Sequence, residues 1–93
     1  MAVGSDVSNN VDHTLIMYST PWCGYCRRLK AQLDRAGIPF QEIDITDDPE
    51  ATRFVEQANG GNQTVPTVRL PDGRALTNPT IVQLTAALAA TAS

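Results

Sequence analysis

Basic and aromatic residues are both scarce in this 93-residue sequence. Seven lysines and arginines stand against ten acidic residues, which gives a formal net charge of −3 at pH 7, and aromatic residues make up 5% of the chain. Proteins that wrap nucleic acid present basic patches and often stack bases on aromatic side chains. The composition therefore argues against nucleic acid as a partner.

Long apolar runs are also missing. The longest candidate, residues 84–90, is rich in alanine and falls well short of the roughly 20 residues that a membrane span needs. Residues 1–12 lack the basic and apolar regions of a signal peptide. We therefore expect no membrane partner and a cytoplasmic, monomeric protein, with a flexible tail at residues 1–12 and one domain at residues 13–93.

Cysteine and histidine are almost absent: Cys23, Cys26 and His13 are the only ones. A secreted mini-protein would carry several cysteines joining distant segments, and a disulfide between such close neighbours removes little entropy from the unfolded chain. A structural zinc site needs four ligands, and beyond the two cysteines only His13 offers a strong one. We therefore predict a redox dithiol and no bound metal, with a pair of inert core cysteines as the alternative.

The rest of the sequence alternates strand and helix patterns. Apolar runs and period-two alternation predict strands at residues 14–18, 40–45, 64–70 and 74–77. Helices are predicted from Cys23 to the stop at Gly37, from Pro49 to Asn59, and after a cap at Asn78 and Pro79. The order β-α-β-α-β-β-α predicts an α/β fold with a four-stranded mixed sheet flanked by helices, since the first βαβ unit requires parallel pairing.

The two cysteines lie where the first predicted strand gives way to a helix. Unpaired N–H groups and the macrodipole at a helix N-terminus favour negative charge, and the thiolate is the nucleophilic form of cysteine. Cys23 is therefore predicted to be an exposed nucleophile. Cys26, in the first helical turn, is predicted to point inward within bonding distance of Cys23.

Pro66 interrupts a segment that otherwise has the pattern of a strand. Because proline cannot donate a hydrogen bond to a strand ladder, it belongs on an edge strand or at the start of a strand. A cis peptide between Val65 and Pro66 would leave the backbone groups of Val65 free to pair with an extended substrate. We expect this cis form, and a trans proline on an edge strand is the alternative.

The run Trp22-Cys23-Gly24-Tyr25-Cys26, with Thr64-Val65-Pro66 further along, resembles the thioredoxin superfamily and within it the glutaredoxins. The resemblance extends over residues 14–88. It implies a thioredoxin-like fold, a nucleophile at Cys23, a second thiol at Cys26 that can form a redox disulfide with it, and a cis proline at Pro66.

Three departures from the usual glutaredoxin pattern concern groups that hold glutathione. Gly24 replaces a proline, Thr20 replaces a lysine that helps to hold a carboxylate, and residues 76–79 replace a Gly-Gly-x-Asp turn. The same motifs, together with residues 60–68 and 72–79, resemble the mycoredoxins. These actinobacterial glutaredoxin analogues use mycothiol, a sugar-based thiol that lacks the two carboxylates of glutathione.

The resemblance to mycoredoxins implies a thiol–disulfide oxidoreductase that reduces mycothiol mixed disulfides through Cys23. Mycothiol is the implied co-substrate, no cofactor is tightly bound, and a second mycothiol or Cys26 resolves the adduct. The implied partners are S-mycothiolated proteins and mycothiol with its NADPH-dependent disulfide reductase. Six residues are candidates for the substrate groove: Trp22, Tyr25, Val65, Pro66, Thr77 and Asn78. Thr77 and Asn78 could instead be a strand end and a helix cap.

Two other functions remain open. An NrdH-like, thioredoxin-like dithiol donor, recharged by thioredoxin reductase, would require both cysteines, and the Trp22-Cys23-Gly24 run also resembles thioredoxin. That family usually carries a Trp-Ser-Gly-Phe type segment, which is missing here. A redox-inert adaptor or a cluster-carrying glutaredoxin is a third possibility, although cluster carriers typically have a single active-site cysteine.

Overall fold

A computed structural model describes residues 15–92 of the chain, so the predicted tail at residues 1–12 lies outside the described residues. The elements follow the predicted order and have these bounds: β1 (Leu15–Ser19), α1 (Gly24–Ala36), β2 (Phe40–Asp44), α2 (Pro49–Ala58), β3 (Thr67–Arg69), β4 (Ala75–Thr77) and α3 (Ile81–Ala92). The predicted α/β architecture is confirmed.

The four strands form one mixed sheet in the order β2-β1-β3-β4. β1 runs parallel to β2, with Leu15 opposite Phe40, and antiparallel to β3, with Met17 opposite Val68. β3 and β4 complete an antiparallel hairpin. The helix α1 makes the crossover between the two parallel strands, and its N-terminus therefore lies at the carboxyl end of β1.

Side chains on β1 alternate between two apolar clusters, one on each face of the sheet. Leu15 and Met17 join the larger cluster, which includes Leu29 and Leu33 of α1 and Leu84 of α3. On the other face, Tyr18 joins a smaller cluster with residues of α2, and Ile16 packs against it. The sheet is therefore covered by α1 and α3 on one side and by α2 on the other.

Local signals explain where α1 and α2 begin and end. Gly37 has a φ of 71° and its N–H donates to Asp34 O, while the N–H of Ile38 donates to Leu33 O, so the last carbonyls of α1 are satisfied. α2 begins after Asp48, whose carboxylate accepts a hydrogen bond from the N–H of Ala51 at 3.0 Å, and Pro49 opens its first turn.

The start of α3 differs from the prediction. Asn78 does not cap this helix: it has a φ of 46° and lies three residues before Ile81. Thr80 is the cap, because its hydroxyl accepts a hydrogen bond from the N–H of Gln83, and the Gln83 amide oxygen accepts one from the N–H of Thr80. This reciprocal pair is a capping box, which satisfies two N–H groups at once.

The strand predicted at residues 64–70 is also shorter than expected. Only Thr67–Arg69 pairs as β3, and residues 64–66 lie outside the ladder. The Val65–Pro66 peptide is cis, as expected. The segment ahead of β3 is therefore free of strand pairing where it passes the cysteines.

Candidate active site

The two cysteines form a disulfide at the N-terminus of α1. Cys23 is the N-cap residue, with an extended backbone (φ −87°, ψ 107°), and Cys26 lies in the first turn. Their Cα atoms are 5.2 Å apart. The backbone N–H of Cys26 donates a hydrogen bond to Cys23 Sγ at 3.0 Å, so the sulfur occupies the position that a capping oxygen usually takes.

The two sulfurs differ in their surroundings, although neither is openly exposed. Cys23 is 9% exposed and Cys26 is 2% exposed, and both belong to the larger core cluster. The inward orientation predicted for Cys26 is confirmed. The exposed position predicted for Cys23 is wrong, because its side chain is tucked between the N-terminus of α1 and the segment at Val65.

The segment at Val65 borders Cys23 directly. The carbonyl oxygen of Val65 lies 3.8 Å from Cys23 Sγ, and the Val65 N–H has no hydrogen-bond partner among residues 15–92. On the far side of the peptide, Pro66 O accepts a hydrogen bond from the N–H of Asn78 at 2.8 Å. The Val65 backbone therefore presents an unpaired donor beside the disulfide.

Two clefts are lined by chain neighbours of the cysteines and contain four of the six predicted groove residues, while Pro66 and Thr77 line neither. The first, of about 470 Å³, includes Trp22 and Val65. The second, of about 260 Å³, includes Tyr25 and Asn78 as well as Arg28. Trp22 and Tyr25 are 71% and 64% exposed, which is unusual for large aromatic side chains.

The first cleft contains no ionisable side chain. Its lining consists of hydroxyl, amide and apolar groups: Thr20, Trp22, Ile45, Thr46, Thr52, Gln63 and Val65. The ionised groups that hydrogen-bond to this lining are carboxylates, since Glu56 accepts from the Gln63 amide and Asp44 accepts from the Thr46 N–H. The lining itself therefore offers no cation to an anionic ligand, and the nearby Arg27 guanidinium donates to the carbonyl of Pro21 at 3.2 Å.

Thr20 carries the one buried side-chain polar atom without a hydrogen-bond partner in the described part of the chain, its Oγ1. Buried hydroxyls are normally paired, so an unpaired one marks a place where a missing partner would be stabilising. The residue follows β1 and lies next to the cleft that holds Trp22. The sequence indicates Thr20 only as a departure from a family pattern.

Thr77 and Asn78 are placed differently from the other groove candidates. Thr77 ends β4, and its hydroxyl donates a short hydrogen bond to Asn59 Oδ1, so this side chain already has a partner within the protein. Thr77 lines neither of the two clefts, whereas Asn78 lines the second. The alternative of a strand end holds for Thr77.

The described residues show two further properties of the molecule. Between residues 15 and 92, no three or more His, Cys, Asp or Glu side chains are grouped so that they could hold a metal ion. Every helix in the same range is too short or too polar to cross a lipid bilayer.

The family model for glutaredoxins matches residues 15–75, which include both cysteines and the Val65–Pro66 peptide. The chain belongs to the glutaredoxin family. Mycoredoxin 1 of Corynebacterium glutamicum is 43% identical to this glutaredoxin over 76 residues, which cover 82% of this chain and 94% of the relative. A Mycobacterium tuberculosis protein, whose provisional name places it among the glutaredoxins, is 49% identical over 74 residues, covering 80% and 88% of the two chains.

Solved structures agree with this assignment. The glutaredoxin of Methanosarcina mazei superposes with a TM-score of 0.72 at 22% identity, over 83% of this chain and 79% of the other, which shows the fold. A buckwheat glutaredoxin–glutathione complex superposes with a TM-score of 0.58 at 25% identity, over 77% of this chain and 68% of the buckwheat chain. The protein is therefore a glutaredoxin-type thiol–disulfide oxidoreductase with the thioredoxin fold and a disulfide-capable cysteine pair.

Proposed function

We propose that this glutaredoxin reduces mixed disulfides between mycothiol and protein thiols, with Cys23 as the nucleophile. The observation that carries the proposal is the uncharged cleft beside the disulfide, lined by Thr20, Trp22 and Val65 among others. The 43% identity to Mycoredoxin 1 over nearly the whole of that relative supports it. The proposed site of action is the cytoplasm, with the protein working as a monomer.

The geometry favours Cys23 over Cys26 as the attacking sulfur. Cys23 is the more accessible of the two, and it occupies the N-cap of α1, where the Cys26 N–H points at its Sγ. In the reduced protein the same N–H and the helix dipole stabilise a thiolate at this position. Cys26 is enclosed by the core and reaches only its neighbour.

In the first step, the Cys23 thiolate attacks the mycothiol sulfur of the mixed disulfide. A bond forms between Cys23 Sγ and that sulfur, the original S–S bond breaks, and the client leaves as a thiolate that takes up a proton. The rate depends on access to the attacked sulfur and on the leaving thiol. The partly exposed position of the first cleft lets the mycothiol moiety lie beside Trp22 while the client departs.

Two reactions can resolve the adduct. A second mycothiol thiolate can attack the bound mycothiol sulfur, which yields mycothiol disulfide and restores the Cys23 thiolate. Alternatively, the Cys26 thiolate attacks Cys23 Sγ, releases mycothiol and forms the Cys23–Cys26 disulfide present in this structure. The first route draws two electrons from NADPH through mycothiol disulfide reductase and requires only Cys23.

The uncharged cleft favours mycothiol over glutathione on electrostatic grounds. A glutathionyl group brings two carboxylates, which lose hydration on binding and need charged or hydrogen-bonded partners in return. The lining of this cleft offers hydroxyls and an amide, and two of its residues, Thr46 and Gln63, are hydrogen-bonded to carboxylates. A sugar ligand needs only hydroxyl and amide partners, which Thr46 and Gln63 can supply.

The client polypeptide is proposed to lie in an extended form beside Val65. Its backbone can accept the unpaired N–H of Val65 in the manner of strand addition. Tyr25, which is 64% exposed, provides apolar contact area for the client, while Trp22 is left to the mycothiol moiety. Pro66 keeps this segment out of the β3 ladder, since it has no N–H to donate.

The proposal is tested by following NADPH consumption while the protein reduces an S-mycothiolated peptide. One arm contains mycothiol and its disulfide reductase, and the parallel arm contains thioredoxin reductase alone. We expect turnover only in the mycothiol arm. Turnover only in the other arm would contradict the proposal and indicate a dithiol donor of the NrdH type.

Two cysteine variants separate the resolving routes in the same assay. Cys23→Ser is expected to abolish turnover, because it removes the attacking thiolate. Cys26→Ser is expected to retain turnover in the mycothiol arm if mycothiol resolves the adduct. Loss of turnover in Cys26→Ser would show that the reaction passes through the Cys23–Cys26 disulfide.

A further inference from the structure

Asn59, the residue that ends α2, connects this helix to the hairpin through its side chain. Its Nδ2 donates hydrogen bonds to Val55 O at 2.8 Å and to Thr67 Oγ1 at 3.0 Å. Its Oδ1 accepts the short hydrogen bond from the Thr77 hydroxyl. The amide therefore joins the end of one helix to two adjacent strands, and Thr67 and Thr77 face each other across those strands.

The connection continues from Thr67 to the segment beside the disulfide. Thr67 is fully buried, and its hydroxyl donates to Thr64 O at 2.8 Å while it accepts from Asn59. Thr64 is followed directly by Val65, whose carbonyl oxygen lies 3.8 Å from Cys23 Sγ. A series of hydrogen bonds thus runs from the end of α2 to the carbonyl of Thr64, one residue before the carbonyl that borders the reactive sulfur.

This segment has few other restraints. Gly60 and Gly61 have positive φ angles of 66° and 103°, and residues 62–66 belong to no helix or strand. Backbone hydrogen bonds hold it at its two ends, from Gly61 N to Glu56 O and from Asn78 N to Pro66 O. Asn62 is held by the carbonyl of Asn59 and Gln63 by the carboxylate of Glu56. At Thr64, directly before Val65, the hydrogen bond comes from the Thr67 hydroxyl, which is in turn held by Asn59.

We infer that Asn59 is a positioning residue, which acts through Thr67 and Thr64 to hold the Val65 backbone in place for a disulfide substrate. The inference rests on the proposed function, in which the client docks beside Val65. Asn59 lines neither cleft next to the disulfide, so its effect is indirect. Loss of the amide would leave the buried Thr67 hydroxyl with one partner instead of two and loosen its bond to Thr64.

The experiment measures docking without mycothiol. Protein reduced beforehand is mixed with a disulfide-bonded peptide, and oxidation of the Cys23–Cys26 pair is followed in a stopped-flow instrument through Trp22, the single tryptophan of the chain. The variants are Asn59→Ala, Thr67→Val, their combination, and Thr67→Ser, which keeps the hydroxyl. Alkylation of reduced Cys23 by iodoacetamide measures thiolate reactivity in the same proteins without peptide docking.

Asn59→Ala and Thr67→Val are each expected to slow the peptide reaction roughly three- to tenfold, the range that corresponds to one or two lost hydrogen bonds. Alkylation of Cys23 should not slow, since the Cys26 N–H is untouched and a looser Val65 segment leaves the sulfur at least as accessible to a small reagent. The double variant should be no slower than about the slower single variant, because both substitutions interrupt the same series. Thr67→Ser should restore most of the rate.

Asp48→Ala is the matched control, because it removes the N-cap at the other end of α2 and destabilises the protein without touching this segment. If Asp48→Ala, at equal loss of melting temperature, slows the peptide reaction as much as Asn59→Ala, the role of Asn59 is structural only and the inference is overturned. Equal loss of alkylation and peptide reaction would also overturn it. A failure of the proposed function would give different results from a failure of this inference. In that case Cys23→Ser would still reduce the peptide, or turnover by the wild-type protein would not need mycothiol.

Discussion

At the level of single residues, the chemistry of this protein depends on how two sulfurs lie relative to one helix end. Cys23 receives the N–H of Cys26 at 3.0 Å, while Cys26 lies within the core. Beside them, Thr20 has a buried hydroxyl without a partner among residues 15–92, next to a cleft whose lining carries no charge. In the proposed function, the attacking sulfur and the ligand preference therefore depend on different residues, which can be changed separately.

Thr20→Lys is predicted to shift the preference for the low-molecular-weight thiol. An ammonium group in the uncharged cleft supplies a partner for a glutathione carboxylate, and the longer side chain takes up space that a sugar would occupy. We expect kcat/KM for a glutathionylated peptide to rise roughly three- to tenfold and that for the mycothiolated peptide to fall by a similar factor. Parallel assays with the two peptides measure both changes.

Thr85→Lys is the matched control for this substitution. Thr85 is exposed on α3 and hydrogen-bonds within its own helix, to Ile81 O and Val82 O. The Thr85→Lys substitution therefore adds the same positive charge away from the cleft. If Thr85→Lys changes the preference as much as Thr20→Lys, the effect comes from overall charge and the assignment of the cleft is wrong.

At the level of elements, a polar group ties the edge strand β2 to its neighbours. Glu42 of β2 accepts hydrogen bonds from Ser19 Oγ of β1 at 2.8 Å and from Lys30 Nζ of α1 at 3.0 Å. Partial burial acts to raise the pKa of Glu42, but these two hydrogen bonds and the charge of Lys30 outweigh it, so the pKa is lowered. The ionised carboxylate thus stabilises the parallel β1–β2 pair and the helix that crosses between them.

This lowered pKa predicts an acid-dependent loss of stability. Because the folded state binds the Glu42 proton less readily than the unfolded chain, its contribution is complete above the ordinary value of 4.5 and is lost as the pH falls through the folded pKa. Glu42→Gln should lower the free energy of unfolding at pH 7 by less than about 1 kcal/mol, since the pair is partly exposed. Urea unfolding at several pH values should show this difference disappearing in acid.

Asp47→Asn provides the comparison for Glu42→Gln. Asp47 is exposed and hydrogen-bonds to no side chain or backbone group between residues 15 and 92. Its replacement should leave the stability at pH 7 nearly unchanged. A Glu42→Gln protein whose deficit persists unchanged at low pH would show that the carboxylate charge is not the stabilising feature.

At the level of the whole molecule, the sheet separates two apolar clusters of unequal size. The larger one, under α1 and α3, contains both cysteines, and the smaller one, under α2, centres on Tyr18 and Val55. Tyr18 also stacks on Phe54, whose ring lies under the Arg69 guanidinium. Because the active-site sulfurs are part of the larger cluster, its packing affects both stability and the site.

Leu33→Ala is predicted to destabilise the whole domain. Leu33 is fully buried in the larger cluster, and truncation of such a leucine costs about 2–5 kcal/mol. Small domains have only about 5–15 kcal/mol in total, so a large share of the stability should be lost in urea unfolding. Val82→Ala, at a site that is 72% exposed, should change it by less than about 0.5 kcal/mol. A loss below about 1 kcal/mol for Leu33→Ala would contradict this account of the core.

The sequence by itself determined the element order, the cysteine pair at a helix start and the departure at Pro66. These features depend on contacts between near neighbours: caps, periodicity and the missing N–H of proline. The predicted start of α3 was wrong because two residues with capping side chains, Asn78 and Thr80, lie close together in the sequence. Thr80 is the cap because it forms a reciprocal pair of hydrogen bonds with Gln83.

The tertiary structure alone decided the surroundings of the site. Thr20, Gln63 and Val65 form one cleft, and Asn59 joins Thr67 and Thr77, because the fold brings together segments that are far apart in the chain. The low exposure of Cys23 has the same origin, since the Val65 segment that covers it comes from beyond α2. Local pattern carries no information about such contacts, because their distances depend on how the helices pack against the sheet.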